Sequence, residues 1–150
     1  MNDQVQPLIF RGKADWTFYL ELTVSLAVTA WGIWSFVAHR NILMLLVGAA
    51  CALVDAVGLA QLWRTRYVLE EEGMQLQSGI SRLYVSYSSI TDLDAVREAK
   101  VTGYVPLAMG RHRLYVIFAE GDKTYRLELS PDDREGFQEA LRQRVEQGAL

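Results

Sequence analysis

Between Trp16 and Val37 the only charged residue is Glu21, and between Ile42 and Trp63 it is Asp55. Neither run keeps a continuous polar face, which a helix lying on a soluble core requires. With a rise of 1.5 Å per residue, each run makes a helix roughly 33 Å long, enough to cross a hydrocarbon layer of about 30 Å. The pattern predicts transmembrane helices over 16–37 and 42–63, joined by an extracytoplasmic turn at 38–41, with a cytoplasmic arm over 1–15. After Arg66 the apolar period shortens to two. Tyr67, Val68 and Leu69 open a strand, Glu70 to Gly73 form an acidic turn with a positive φ expected at the glycine, and Met74 and Leu76 alternate with Gln75 and Gln77.

Further along, Ser78 to Ser81 form a second turn, and Leu83, Val85 and Tyr87 alternate with polar neighbours. Ile90, Leu93 and Val96 surround a short turn and a fourth strand. Lys100 to Gly110 is the least regular stretch. Leu114 to Ala119 is continuously apolar, as a buried strand would be, and Glu120-Gly121-Asp122 turn it into an alternating strand at Tyr125, Leu127 and Leu129. Ser130 is expected to cap a final helix that begins at Pro131, with Asp132 and Asp133 in its first turn. Phe137, Leu141 and Val145 give that helix one apolar stripe, flanked by Glu135, Arg142 and Arg144. The expected fold class is therefore a two-helix transmembrane hairpin followed by an α+β domain over 67–150. That domain is an antiparallel β-barrel or curled sheet capped by a C-terminal helix.

Charge changes the picture in two places. Arg11, Lys13, Arg64 and Arg66 lie at one end of the hairpin and Arg40 is alone at the other. The positive-inside rule then puts both termini in the cytoplasm of a bacterial cell, in a multi-pass inner-membrane protein. The first apolar run is longer than the apolar core of a signal peptide and a second span follows at once, so both helices are expected in the mature protein. Tyr67 to Leu150 is net acidic, with no basic stripe to displace counterions from a phosphate backbone, which excludes nucleic acid as a partner. Cys51, the one cysteine, lies inside the second span and forms no disulfide or metal-ligand pattern, and no cofactor motif occurs.

The hairpin holds the candidate contact residues. Gly48, Ala52, Ala56 and Ala60 recur every four residues, a stripe of small side chains on which another helix can approach closely. The partner is the first helix, through Thr23, Ala27 and Ala30, or else a second copy or another integral membrane protein. Asp55 lies about 4 Å from the midpoint of its span by the helical rise. An ionisable side chain at that depth has to be neutral, paired or turned to a polar cavity. Glu21 lies within about one helical turn of the same depth, so the two carboxyls can meet each other or a partner subunit.

The domain residues then resemble a known family, the bacterial pleckstrin-homology (PH) domains of the YyaB-like membrane-anchored type. Tyr67 to Gly79 (YVLEEEGMQLQSG) looks like the first family hairpin, and Val85 to Ile90 (VSYSSI) resembles the strand after it. Ala108 to Val116 (AMGRHRLYV) is similar to an internal family segment, best at Ala108, Arg113 and Leu114, and departs from it at Gly110, Arg111 and His112. Ser130, Pro131, Asp133 and Phe137 resemble the start of the closing helix. The resemblance implies a PH-like scaffold used for binding. Phosphoinositide binding in eukaryotic relatives depends on basic residues in the first hairpin loop. Here that loop is Glu70, Glu71, Glu72 and Gly73, so no phosphoinositide is expected there.

Arg111, His112 and Arg113 form a basic loop that is either a solvated, internally paired turn or a contact for an anionic partner. His39 and His112 are expected on opposite sides of the bilayer, and no nucleophile–base or metal spacing occurs, so catalytic and metal residues are expected to be absent. Two classes remain. One is a non-enzymatic, membrane-anchored protein-interaction module, acting as accessory subunit, scaffold or assembly factor of a larger membrane complex. The other is a peripheral lipid or small-ligand sensor for which the hairpin is a simple anchor.

Overall fold

The computed structural model describes residues 6–148; the first part of the expected arm, residues 1–5, and the last two residues lie outside it. The elements run β1 (Leu8–Arg11), α1 (Trp16–His39), α2 (Ile42–Arg64), β2 (Arg66–Leu69), β3 (Gly73–Ser78), β4 (Ser81–Ser86), β5 (Ile90–Asp92), β6 (Gly103–Pro106), β7 (Leu114–Glu120), β8 (Lys123–Leu129) and α3 (Arg134–Gly148). A short 3-10 turn, Tyr87–Ser89, links β4 to β5.

Both long helices are apolar and long enough to cross a membrane. Asp15 caps α1, its Oδ1 accepting from the Thr17 and Phe18 backbone N–H groups at 3.1 and 3.2 Å. Arg40 ends that helix in the left-handed region (φ 55°), donating its N–H to the Phe36 carbonyl, and Asn41 at once caps α2 through Met44 N–H. The turn therefore needs only Arg40 and Asn41, two residues fewer than expected. Thr65 closes the other end of α2, its N–H and hydroxyl both donating to the Gln61 carbonyl.

The domain consists of two four-stranded sheets, in the orders β1-β2-β3-β4 and β5-β7-β8-β6. They do not close into a barrel: no ladder joins one sheet to the other, so of the two expected forms the curled, open one is found. Rows of opposed residues alternate between faces. Phe10, Tyr67, Leu76 and Leu83 form one inward row, and Leu69, Met74 and Val85 form the next, with Leu8 exposed at the end of that row. Their core is completed by Leu114, Val116, Phe118, Leu127 and Leu129 of the second sheet and by Phe137 and Leu141 of α3. Fully burying a side chain of this size contributes roughly 1.5–3 kcal/mol, which is why the period-two pattern fixes the register.

Four details differ from the sequence reading. The arm residues Leu8–Arg11 are a strand paired with β2, although they precede the hairpin. In the irregular 100–110 stretch, Gly103–Pro106 forms a strand parallel to β8, so the domain is not wholly antiparallel. Gly73 has no positive φ; it is small because a Cβ there would come within 2.6 Å of the Val85 carbonyl and 2.7 Å of the Tyr84 ring, while Gly79 and Gly121 make the left-handed turns. Finally, α3 starts at Arg134 with Asp133 as its cap, accepting from Gly136 N–H at 2.9 Å. Ser130 is occupied elsewhere: its hydroxyl accepts from Met109 N–H, and Pro131 bridges to Gly12.

Candidate functional site

The two membrane-length helices meet along a seam of small and polar side chains. On α1 it runs through Ser25, Thr29, Gly32 and Ser35, and on α2 through Gly48, Cys51, Asp55 and Gly58. Closest approach is at the glycines, where a Cβ on Gly32 would lie 2.6 Å from the Met44 carbonyl oxygen and 2.9 Å from Gly48 Cα. Of the expected stripe, Gly48 is in this seam, whereas Ala52 and Ala56 are exposed and Ala60 is half-buried. Thr23, Ala27 and Ala30 likewise face outward, and the Thr23 hydroxyl donates back to the Tyr19 carbonyl. The α1 face that packs is rotated away from the one anticipated, because two polar residues, Ser25 and Thr29, occupy it.

Asp55 is 4% exposed. Its Oδ2 accepts from Thr29 Oγ1 at 2.9 Å, and its Oδ1 has no hydrogen-bond partner among the described residues. Glu21 does not pair with it. The two acids instead line one groove of about 440 Å³ between the helices, together with Phe18, Ser25, Gly58 and Gln61. Inside a bilayer, where a polar atom has no water to turn to, such an unpaired oxygen would need a partner.

The hairpin is fastened to the domain at several points. Gly12 N–H donates to Thr65 O (3.0 Å), Lys13 N–H to Ser130 O (2.6 Å) and Asp132 N–H to Arg11 O (2.9 Å). Arg111 N–H donates to Asp15 Oδ2 at 2.6 Å. The Asp15 carboxyl, held chiefly by the Thr17 hydroxyl and then by this Arg111 N–H, is lowered from 3.8 to about 2. The Arg111–His112–Arg113 loop is thus part of the joint. The Arg111 guanidinium lies 5.9 Å from the Trp16 ring, Arg113 is ion-paired to Glu128 and donates to the Gly110 carbonyl, and only His112 is left to solvent without a partner in this set.

Other polar burial is structural. Glu128 also pairs with Arg126 at 3.0 Å, and Arg126 lies over the Tyr104 and Tyr115 rings. Arg144, expected on the exposed flank of α3, is instead buried and donates to the carbonyls of Glu70 and Gln6 at 3.0 Å each. Tyr67 donates its hydroxyl to the Leu107 carbonyl, and desolvation raises its pKa. Among the described residues no group of His, Cys, Asp and Glu side chains could hold a metal ion.

Sequence reasoning overlooked a second cleft. Between the C-terminal end of α2 and the outer face of the first sheet lies a space of about 910 Å³ that contains four arginines, Arg11, Arg64, Arg66 and Arg82. The signal was the apolar run Leu8-Ile9-Phe10 before Arg11, which makes a four-residue strand, but so short a segment does not announce its pairing partner.

The family model described as Bacterial PH domain matches residues 65–145, from the closure of α2 through most of α3. No curated protein and no solved structure matches the chain. The matched region covers the whole of β2 to β8, and a scaffold of this kind is a protein- or lipid-interaction module. By that match, over more than half its length, the chain belongs to the bacterial PH domain family.

Proposed function

We propose that this protein is a non-enzymatic, membrane-anchored interaction module that serves as accessory subunit, scaffold or assembly factor of a larger membrane protein complex. The hairpin spans the bacterial inner membrane with both termini cytoplasmic, as the four basic residues at one end against Arg40 at the other favour. The domain then lies against the inner leaflet. One observation carries the partner reading: Asp55, buried at bilayer depth, keeps an oxygen without a donor beside a groove open to the acyl chains and lined by Glu21. The occupant is a transmembrane helix of another membrane protein that offers a hydrogen-bond donor or cation at that depth.

The test is purification in mild detergent and identification of co-purifying membrane proteins, for the native chain and for Asp55→Leu. The substitution is expected to leave membrane insertion intact and to deplete the partner. Equal recovery of the partner with Asp55→Leu removes the groove from the interface. Retention of function after the hairpin is exchanged for an unrelated two-helix anchor replaces this reading with a peripheral lipid- or small-ligand sensor.

A further inference from the structure

The first sheet carries a row of side chains that makes no sense as packing alone. Arg11 lies opposite Arg66, Arg66 opposite Gln77, and Gln77 opposite Arg82, so one cross-strand row spans all four strands. Directly opposed residues of antiparallel strands project from the same face, and like charges so placed destabilise the sheet. Two of the three arginines have no ion pair and no side-chain partner among the described residues; Arg66 Nε donates to Gln77 Oε1 at 3.1 Å, which orients its guanidinium without neutralising it. Among the described residues no acidic side chain lines the cleft above the row. Arg64 adds a fourth charge from the last turn of α2, and Leu62 and Trp63 give the cleft an apolar wall.

We propose that this cleft binds the phosphate of an anionic phospholipid headgroup. Guanidinium forks pair with phosphate oxygens through charge-assisted, bidentate hydrogen bonds, and an anion set into the row converts its repulsion into attraction. The position selects a lipid over a soluble phosphate. Trp63 at the end of α2 and Trp16 at the start of α1 are 82% and 69% exposed, as the aromatic belt of a membrane–water boundary would be. The cleft is therefore at headgroup height with its apolar wall toward the acyl chains. Topology alone does not account for it, because Arg82 belongs to β4, at the outer limit of the roughly 15–20 residues that the positive-inside rule counts from a span end, and joins the cleft only through the register of the sheet. The site is also separate from the acidic Glu70–Glu72 loop, which lies at the other end of the β2–β3 hairpin. Its ligand would lock the hairpin and the domain in one posture, since β1, α2, β2 and β4 each contribute an arginine.

Native mass spectrometry of the full chain in detergent micelles, incubated with equal amounts of phosphatidylglycerol and phosphatidylcholine, tests this directly. A retained phosphatidylglycerol adduct is expected. Arg66→Gln combined with Arg82→Gln should lower its retention about tenfold or more, since each basic residue near a membrane surface contributes roughly a fivefold factor. Removing two charges elsewhere, by Lys100→Gln with Lys123→Gln, both exposed on the second sheet's side of the domain, should leave it unchanged. Addition of inorganic phosphate should not strip the adduct. All four arginines are exposed, so these variants are expected to fold; Arg11→Gln alone, on the edge strand, reads the same site should the double variant fail. Equal retention of the two lipids, an equal loss in the remote double variant, or displacement by inorganic phosphate each overturns the assignment. The readout is independent of the Asp55 groove, so it stands or falls apart from the partner proposed there.

Discussion

The hairpin and the domain bury opposite kinds of side chain. In the domain, Tyr67, Leu69, Met74, Leu127 and Phe137 are wholly enclosed, and the charges lie outside, in pairs or, for Arg144, against backbone carbonyls. In the hairpin, Trp31, Leu53 and Val54 face outward, and what is enclosed is Gly32, Ser35, Gly48 and Asp55. On the proposed topology, one chain follows both rules because the two halves face different solvents. Water drives apolar area inward at roughly 25 cal/mol per Å². Acyl chains exert no such force, so the helices are held by close backbone approach and by hydrogen bonds that lipid cannot supply.

The sharpest way to break this contrast is to truncate on the watery side. Phe137 is fully buried, with ring centroids 5.1 Å from Phe10 and 5.9 Å from Tyr67. Phe137→Ala is expected to cost about 3–5 kcal/mol, read by denaturant unfolding of the domain signal in the full chain. A much smaller loss would mean that α3 is not part of the core. On the hairpin side the damaging change is enlargement. Gly32→Leu forces a side chain into the Met44–Gly48 backbone and should cost about 1–3 kcal/mol in detergent-to-SDS unfolding. Leu53→Ala, at a position 73% exposed, should be nearly silent although it deletes more apolar bulk. If the two effects came out reversed, the outward apolar face would be a packed one.

Next in size is the seam's hydrogen bond. Thr29→Val keeps the shape of the side chain and removes the donor to Asp55 Oδ2. The expected loss is about 0.6 kcal/mol, the average for interhelical hydrogen bonds in membranes, and at most about 1.7, and Thr29→Ser should recover most of it. Equal stability of Thr29→Val and the native chain would show that Asp55 draws nothing from this bond.

How far these features can be read from the sequence depends on how local their causes are. The two spans and the strands from Tyr67 to Leu129 follow from hydrophobic period, a property of each segment alone. The seam's rotation on α1 does not, because Ser25–Thr29–Gly32 and Thr23–Ala27–Ala30 are both plausible small faces, and the choice is made by Asp55 on the other helix. The same holds for β1 and for the parallel strand β6, whose pairing partners are distant in the chain. Ser130-Pro131 has good local capping chemistry, yet Met109 and Gly12 claim those residues for the joint and shift the cap to Asp133. Of the candidate residues, Asp55 and Glu21 were legible from charge at depth, while the arginine row required the register of four strands.

The finest probe sits where the two regions join. Asp15 caps α1 and accepts from Arg111 of the domain, and its carboxyl is lowered to about 2 from 3.8. A folded-state pKa below the unfolded one contributes stability that is fully present above the unfolded value and disappears as pH falls toward the folded value. The relevant window therefore runs from about 3.8 down to about 2. Asp15→Asn keeps one oxygen acceptor but no charge, so the native chain is expected to melt slightly higher than the variant near neutral pH. That gap should close as the solution is acidified through the window. Every other acidic residue is common to both proteins and cancels in the difference. A gap that stays constant with pH would show that the cap acts by shape and hydrogen bonding alone, without its charge contributing to the union of helix and domain.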